Sequence, residues 1–335
     1  VDGAIEIRVP ASFVAAARYP LTVDPVVSTL TLVNYSVGRP DVAYSKAFGG
    51  GRYLVVWETE FSASDFDIYA AFLDSAGNPI IVGPGTVLSA WIDATDATWA
   101  NPSVANSKSD ELFLVVAQIG GGDREIWGRM VSLPDAANTT LGSQFTIAPH
   151  FGWIWDKTNP DVGGDARANP PGVSKFLVVY EQENPLDASD RDIMLCMVTA
   201  EIAPTVGSPV SIHNTDDILS NPSVSKSNNG QAWIAVWERE GTGGRDIFGA
   251  ELDPNGPITQ PAFLVSGLAS DETNPAVSMP IEGDSGPEYL VAFERANGSV
   301  DADIQIVRRR VGGVLLSASN LATLESNPNA ASRQF

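Results

Sequence analysis

The chain is short of cations, cysteine and histidine, and each shortage removes a class of function. Lys and Arg number 20 against 41 Asp and Glu in 335 residues, a formal net charge of -21. Binding to nucleic acid needs clustered Lys and Arg that displace counterions from phosphates. An anionic membrane surface makes the same demand, so neither partner is expected. The single cysteine, Cys196, forbids an intrachain disulfide. Set in an apolar strand, it is expected to be a small buried hydrophobe. The two histidines, His150 and His213, stand alone. Without HExxH or CxxC spacing no zinc site is expected. GxSxG, GKS/T and CxxCH are absent too, which removes local signatures of a serine hydrolase, a P-loop and a c-type haem. No apolar run reaches the ~18 residues that span a bilayer. No signal-like segment opens the chain, and Val1 stands where an initiator Met would. The chain is therefore expected to be a mature or excised piece of something longer.

What the sequence does have is repetition. Asn-Pro recurs at Asn101-Pro102, Asn159-Pro160, Asn221-Pro222, Asn274-Pro275 and Asn327-Pro328, with Arg39-Pro40 in the same register. A short strand follows each anchor, as in Asp41-Val42-Ala43 and Ser103-Val104-Ala105. A strongly apolar second strand comes next: Tyr53 to Trp57, Leu112 to Val116, Phe176 to Tyr180, Trp233 to Trp237 and Tyr289 to Phe293. Four of these runs end in glutamate, at Glu58, Glu181, Glu238 and Glu294. The third strand opens on an acid and an isoleucine, from Asp67-Ile68 to Asp303-Ile304. A fourth closes the unit, at Val87-Leu88, Phe145 to Ile147, Val210 to Ile212, Phe263 to Val265 and Leu315-Leu316. The runs are β-branched and aromatic and bounded by Gly, Pro, Asn and Asp. No helical period is sustained. Four strands per ~55 residues, repeated, predict an all-β β-propeller of four-stranded blades, because one such sheet cannot bury both of its faces alone. An open array of sandwich modules is the alternative, but each sandwich needs ~100 residues.

The ends look complementary. Val1 to Ile7 resembles Val300 to Ile306, and Asn327 to Ser332 reads as a first strand. This predicts six blades, one split between the termini. A competing reading makes residues 1–27 the tail of an upstream module and leaves five blades. The domain expectation is therefore an N-terminal segment, 1–27, and a propeller, 28–335.

The pattern Pro-x-Val-Ala, Leu-Val-Val-Trp-Glu, Asp-Ile-Tyr-Ala, Leu-Asp-x-x-Gly-Asn-Pro, clearest from Pro40 to Pro79, resembles β-propeller-like repeats of large secreted bacterial surface proteins. The resemblance covers about nine-tenths of the chain. It implies an extracellular or cell-surface setting and a binding or spacer module, and names no ligand. The second repeat departs from it, with Ala117-Gln118 where the others have an aromatic and Glu.

Strand alternation puts two sets of loops on one face of the disc. That face is expected to carry the acid pairs Asp65/Asp67, Asp123/Glu125, Asp190/Asp192 and Asp301/Asp303, with Asp246 alone in the fourth repeat. Three readings apply to them: Asp capping tight turns, Ca²⁺ ligation by Asp65, Asp67, Asp123, Asp190, Asp192, Asp301 and Asp303, or carboxylate pairs for glycoside hydrolysis. Trp91, Trp99, Trp153 and Trp155 fall in two long loops of the same face. They read as a satellite cluster, a sugar platform or a protein contact. Together with Glu58, Glu181, Glu238 and Glu294 they are the candidate ligand-binding residues.

The leading expectation is a non-catalytic binding or structural module that holds a glycan, a protein or Ca²⁺ on this acidic, Trp-bearing face. One alternative is a carbohydrate-active enzyme with carboxylates near the central funnel. Another is a subunit of a surface assembly, in which an unpaired strand edge accepts a neighbour's strand.

Overall fold

The computed structural model describes residues 37–323, apart from 47–49, 63, 94, 108–110, 121–123, 133–138, 150–155, 168–171, 185, 227–230, 242, 256–257, 284, 297–301 and 316–321. The chain divides into two compact units, Val1–Asn34 and Tyr35–Phe335. The first, and with it the expected split blade at the termini, lies outside the described residues.

The described residues are all-β, in antiparallel sheets. Four sheets have four strands, ordered as the chain runs: Val37–Ser45, Arg52–Ser62, Asp65–Asp74 and Ser89–Trp91; Trp99–Ser107, Leu112–Ile119, Glu125–Ser132 and Thr140–Ala148; Lys157–Gly163, Lys175–Asn184, Asp187–Thr199 and Val210–His213; Leu219–Val224, Trp233–Gly241, Gly244–Leu252 and Ile258–Ser266. The fifth contains Glu272–Val277, Gly286–Ala296, Ala302–Arg310 and Val314–Leu315, with Ile281–Gly283 and Ala322–Thr323 added at its margins. The first sheet differs from expectation at its outer strand. Ile81–Val82 and Thr86–Val87 pair as a separate hairpin around Gly83 and Gly85, both at positive φ. That insertion moves the outer strand on to Ser89–Trp91.

The apolar second strands explain how the sheets stack. A strand buried on both faces reads as a continuous hydrophobic run, and its alternate residues serve different cores. Phe113, Val115 and Ala117 pack against the first sheet, whereas Leu114 and Val116 pack against the third. Phe176, Val178 and Tyr180 face the second sheet, and Leu177 and Val179 the fourth. Trp233, Ala235 and Trp237 face the third, and Ile234 and Val236 the fifth. The second, third and fourth sheets are thus each sandwiched between their sequence neighbours, as blades are. Cys196 is buried in the core between the second and third sheets. The approach of inner strands is close: a Cβ on Gly163 would sit 2.5 Å from the Ser225 carbonyl oxygen.

The Asn-Pro anchors fix the joints. Asn101, Asn159, Asn221 and Asn274 all adopt left-handed backbone, φ 48–53°, and Arg39 joins them at 45°. Asn tolerates this conformation better than most residues. Each anchor breaks the register between the first two strands of its sheet by a bulge. The bulge turns the anchor's backbone N–H away from its own sheet and toward the preceding one. There it meets a side chain near the end of that sheet's second strand. Asn101 N donates to Glu58 Oε1 (2.6 Å), Asn159 N to Gln118 Oε1 (3.0 Å), Asn221 N to Glu181 Oε1 (2.7 Å) and Asn274 N to Glu238 Oε1 (2.7 Å). The anchor's own amide donates back within its sheet, Asn159 Nδ2 to Glu181 and Asn221 Nδ2 to Glu238, each at 2.7 Å. One carboxylate oxygen therefore ties two consecutive sheets together.

Glu181 is fully buried and also accepts from Thr158 Oγ1 (3.0 Å) and Arg191 (3.1 Å). Removing it leaves a buried N–H, an amide and a guanidinium without their acceptor. Glu181→Ala is expected to destabilise by about 3–5 kcal/mol. Glu181→Gln should cost markedly less, since Gln118 makes the same bond in the second sheet. Urea unfolding of the two variants measures the difference.

Candidate functional site

The inner strands converge on a pocket of about 450 Å³, lined by the anchor residues of all five sheets together with Asp41, Ser103, Asp161, Ser223 and Lys226. Its lining follows from the repeat. In the first four sheets the residue after the anchor proline sits one step further along the inner strand and lines the pocket as Asp41, Ser103, Asp161 and Ser223. Lys226 leaves the end of the fourth inner strand and reaches three other sheets. Its Nζ lies 3.0 Å from Asp41 Oδ2, 2.8 Å from Ser103 Oγ and 2.7 Å from Asp161 Oδ1. Ser103 Oγ stands 3.0 Å from Asp41 and 2.6 Å from Asp161. Residues of four sheets therefore meet in one ionic cluster at the centre.

The two aspartates have a further structural duty. Asp41 Oδ2 accepts from Val104 N, and Asp161 Oδ2 from Val224 N, each at 2.8 Å. Burial alone would raise the Asp41 carboxyl, but Lys226 and the amides of Val104 and Val42 outweigh it and hold it below the ordinary range. Burial likewise works against the Lys226 charge, and Asp161 and Asp41 raise its pKa in spite of it. The Asp41 carboxylate and the Lys226 ammonium are thus each held in the charged form.

The candidate residues read from the sequence fall elsewhere. Glu58, Glu181 and Glu238 are the latches described above. They stand between sheets rather than on an open ligand surface. Glu294 holds the same place in the fifth sheet, opposite Thr273 and Ile304. The doubt over the second repeat is resolved by Gln118, whose amide oxygen replaces the carboxylate. Trp99 is not a loop residue: it begins an inner strand, is 2% exposed, and meets the Trp127 ring at 6.2 Å. Trp91 is exposed, in the first sheet's outer strand, with Tyr69 at 4.4 Å and Phe61 at 5.6 Å between ring centroids. Trp153, Trp155, Asp123 and Asp301 lie outside the described residues.

The acid pairs are also placed. Asp190 and Asp192 accept from the amides of Asn184 (2.6 Å) and Asn214 (2.9 Å). Asp303 is half-buried opposite Arg295. Asp192 also accepts from the Thr215 backbone N–H, and acids outside the pairs cap further N–H groups: Asp74 accepts from Ala76 N and Asn78 N, Asp156 from Arg124 N and Asp271 from Arg245 N. Asp67 is buried, and among the described residues its Oδ1 has no hydrogen-bond partner. Burial, with the nearby charges of Asp93, Asp65 and Asp96, pushes its carboxyl up to about 6. Among the described residues no group of three or more His, Cys, Asp or Glu is arranged to hold a metal ion.

Sequence reasoning missed Asp41, Asp161 and Lys226 as a set. The available signal was the residue after each anchor proline, alternately acid and serine through the first four repeats.

No family model matches the chain, and no curated protein matches it. Solved structures do. An α-L-arabinanase from Penicillium chrysogenum, complexed with arabinobiose, is 14% identical over 82% of this chain and 79% of that one, with a TM-score of 0.47. A thermostable family-43 glycoside hydrolase is 12% identical over 89% and 96%, with a TM-score of 0.42. An α-L-arabinofuranosidase from Lactobacillus brevis is 12% identical over 69% and 73%, with a TM-score of 0.43. These structures are glycoside hydrolases, which stands against the expectation of a non-catalytic binding or structural module; at 14% identity or less the similarity assigns this chain no activity of its own.

Two predictions follow from the electrostatics. Lys226→Met leaves Asp41 and Asp161 facing each other without a counterion. It should destabilise by about 3 kcal/mol, the low end for breaking a buried pair, because the cluster is partly open to solvent. Adding Asp161→Asn should restore part of the loss, as read by urea unfolding. At Asp67 the folded pKa lies above the ordinary value of 3.8, so the native state binds the extra proton. The resulting penalty is absent below about pH 4 and grows as pH rises through 6. Asp67→Asn should therefore raise the melting temperature by a few degrees at pH 7.5 and leave it unchanged at pH 4.

Proposed function

We propose that the protein is a carbohydrate-active enzyme that takes a glycan in its axial pocket. One observation carries the proposal: two carboxylates, Asp41 and Asp161, converge on a polar pocket at the meeting point of the inner strands. Sugars are dense in hydroxyl groups, and a pocket lined by asparagine, serine and aspartate with proline rings between them offers both hydrogen bonds and flat apolar contact. The separation of the pair bears on mechanism. Both carboxylates reach the same Nζ, at 3.0 and 2.7 Å. Their nearest oxygens are thus closer together than the ~6.5–9.5 Å that leaves room for an attacking water in an inverting pair. The spacing favours the retaining geometry, in which one carboxylate attacks the anomeric carbon as the bond to the leaving oxygen breaks, and the second carboxyl, in its acid form, gives that oxygen its proton. Asp41, held ionised by Lys226 and two backbone amides, has the protonation state a nucleophile needs.

The test is a panel of aryl glycosides and oligosaccharides, with product configuration followed by NMR. Hydrolysis with retention is expected. Asp41→Asn and Asp161→Asn should each lower kcat at least 100-fold while circular dichroism shows an intact fold. Failure to bind or cleave any glycan in a broad array would overturn the reading. Inversion of configuration would overturn the assignment of the pair.

A further inference from the structure

The anchor positions of the second to fifth sheets are occupied by Asn101, Asn159, Asn221 and Asn274, and the first by Arg39, in the same left-handed conformation. All five line the axial pocket. At three of the four Asn positions the side-chain amide is already engaged. Asn101 Nδ2 donates to Gln118 Oε1 (2.9 Å) and Asn159 Oδ1 (2.6 Å), Asn159 Nδ2 to Glu181 and Asn221 Nδ2 to Glu238. Arg39 answers its own sheet's latch only weakly, with Nε 3.8 Å from Glu58 Oε1. That oxygen already accepts the Asn101 N–H at 2.6 Å. The Arg39 side chain is 64% exposed. Among the described residues its terminal nitrogens meet no acceptor. The other cation of the pocket, Lys226, is spent on Asp41, Ser103 and Asp161.

Arg39 is therefore the departure from the repeat that puts an unspent charge on the pocket, and the charge is a guanidinium fork. Such a fork matches a carboxylate with two parallel N–H bonds, a geometry neutral sugars do not offer. We infer that Arg39 makes the axial pocket selective for a glycan carrying a carboxylate, a hexuronate unit, over its neutral counterpart. The inference rests on the axial-pocket reading and extends it to the class of sugar. The net charge of -21 does not oppose it at contact distance, because charges beyond a Debye length of about 8 Å at physiological salt are largely screened.

The test compares glucuronate and galacturonate, as monosaccharides and disaccharides, with their methyl esters, by isothermal titration of the whole chain. The esters keep every hydroxyl and exchange the charge for a methyl group. The acid forms are expected to bind at least tenfold more tightly, with affinity that falls as salt rises, while ester affinity does not. Arg39→Asn installs the residue the other four sheets use in the same backbone conformation, so it preserves the fold. It should bring acid and ester to equal affinity, and Arg39→Lys should restore part of the preference. Equal binding of acid and ester to the native protein, or a preference that survives Arg39→Asn, would overturn the inference and leave a glycan-binding pocket standing. Ser223→Trp, which fills the pocket, should abolish binding of both forms. If binding persists in that variant, the axial-pocket reading fails along with the inference.

Discussion

One hydrogen bond recurs at the four joints seen among the described residues: a side-chain oxygen near the end of a second strand accepts the backbone N–H of the next sheet's anchor. It does more than link neighbours. The left-handed anchor conformation is unfavourable for most residues, and it is the donated N–H together with the returning Asn amide that makes the conformation worth its cost. The bulge that carries the anchor would otherwise leave a donor buried without a partner. The glutamate, the left-handed Asn, the proline after it and the bulge are thus one device. Each member makes sense only with the others.

The pocket is a by-product of that device. Because the bulges turn the anchors inward, anchor and proline residues of all five sheets line the pocket, and the next residue of the first four inner strands lines it with them. Four inner strands would bring Asp41, Ser103, Asp161 and Ser223 close together whatever their chemistry. Two acids there repel unless a cation joins them, and Lys226 supplies it from the far end of the fourth strand. The cluster therefore serves the fold first. Each aspartate accepts a backbone N–H of the following sheet as well as the ammonium. The same bonds leave Asp41 ionised, which gives the pocket its chemical potential.

Much of the fold could be read in the sequence, because its signals are local. The anchor spacing, the apolar second strands and the acid-Ile openings mark strands whose boundaries the structure reproduces to within a few residues. The Gly83-Pro84-Gly85 insertion was missed, since a hairpin inside a loop leaves the repeat period nearly intact. The roles of individual residues were far less legible. Glu58, Glu181 and Glu238 stood out by recurrence, yet their partner is a backbone N–H one repeat away, which no residue type announces. Trp99 looked like a loop aromatic because the inner strand begins two residues before the anchor rather than after it. The Lys226 cluster joins residues up to 185 positions apart. Only the closing of the sheets around an axis brings them together.

Repetition also tells where to look for function. A feature that recurs at every joint is explained by what every joint needs, and the latch glutamates, although acidic and regularly placed, fall under that explanation. A site that acts on one ligand has to distinguish one direction from the others, so its residues must break the pattern. Gln118 breaks it without consequence, because an amide oxygen accepts the same N–H. Arg39 breaks it with consequence. It keeps the backbone conformation of its Asn counterparts and exchanges a short amide, bonded within its own sheet, for a long, exposed cation at the pocket's lining. Two chemically unlike substitutions in the same framework thus separate by a single criterion: whether the new group is consumed by the joint or left over for a ligand.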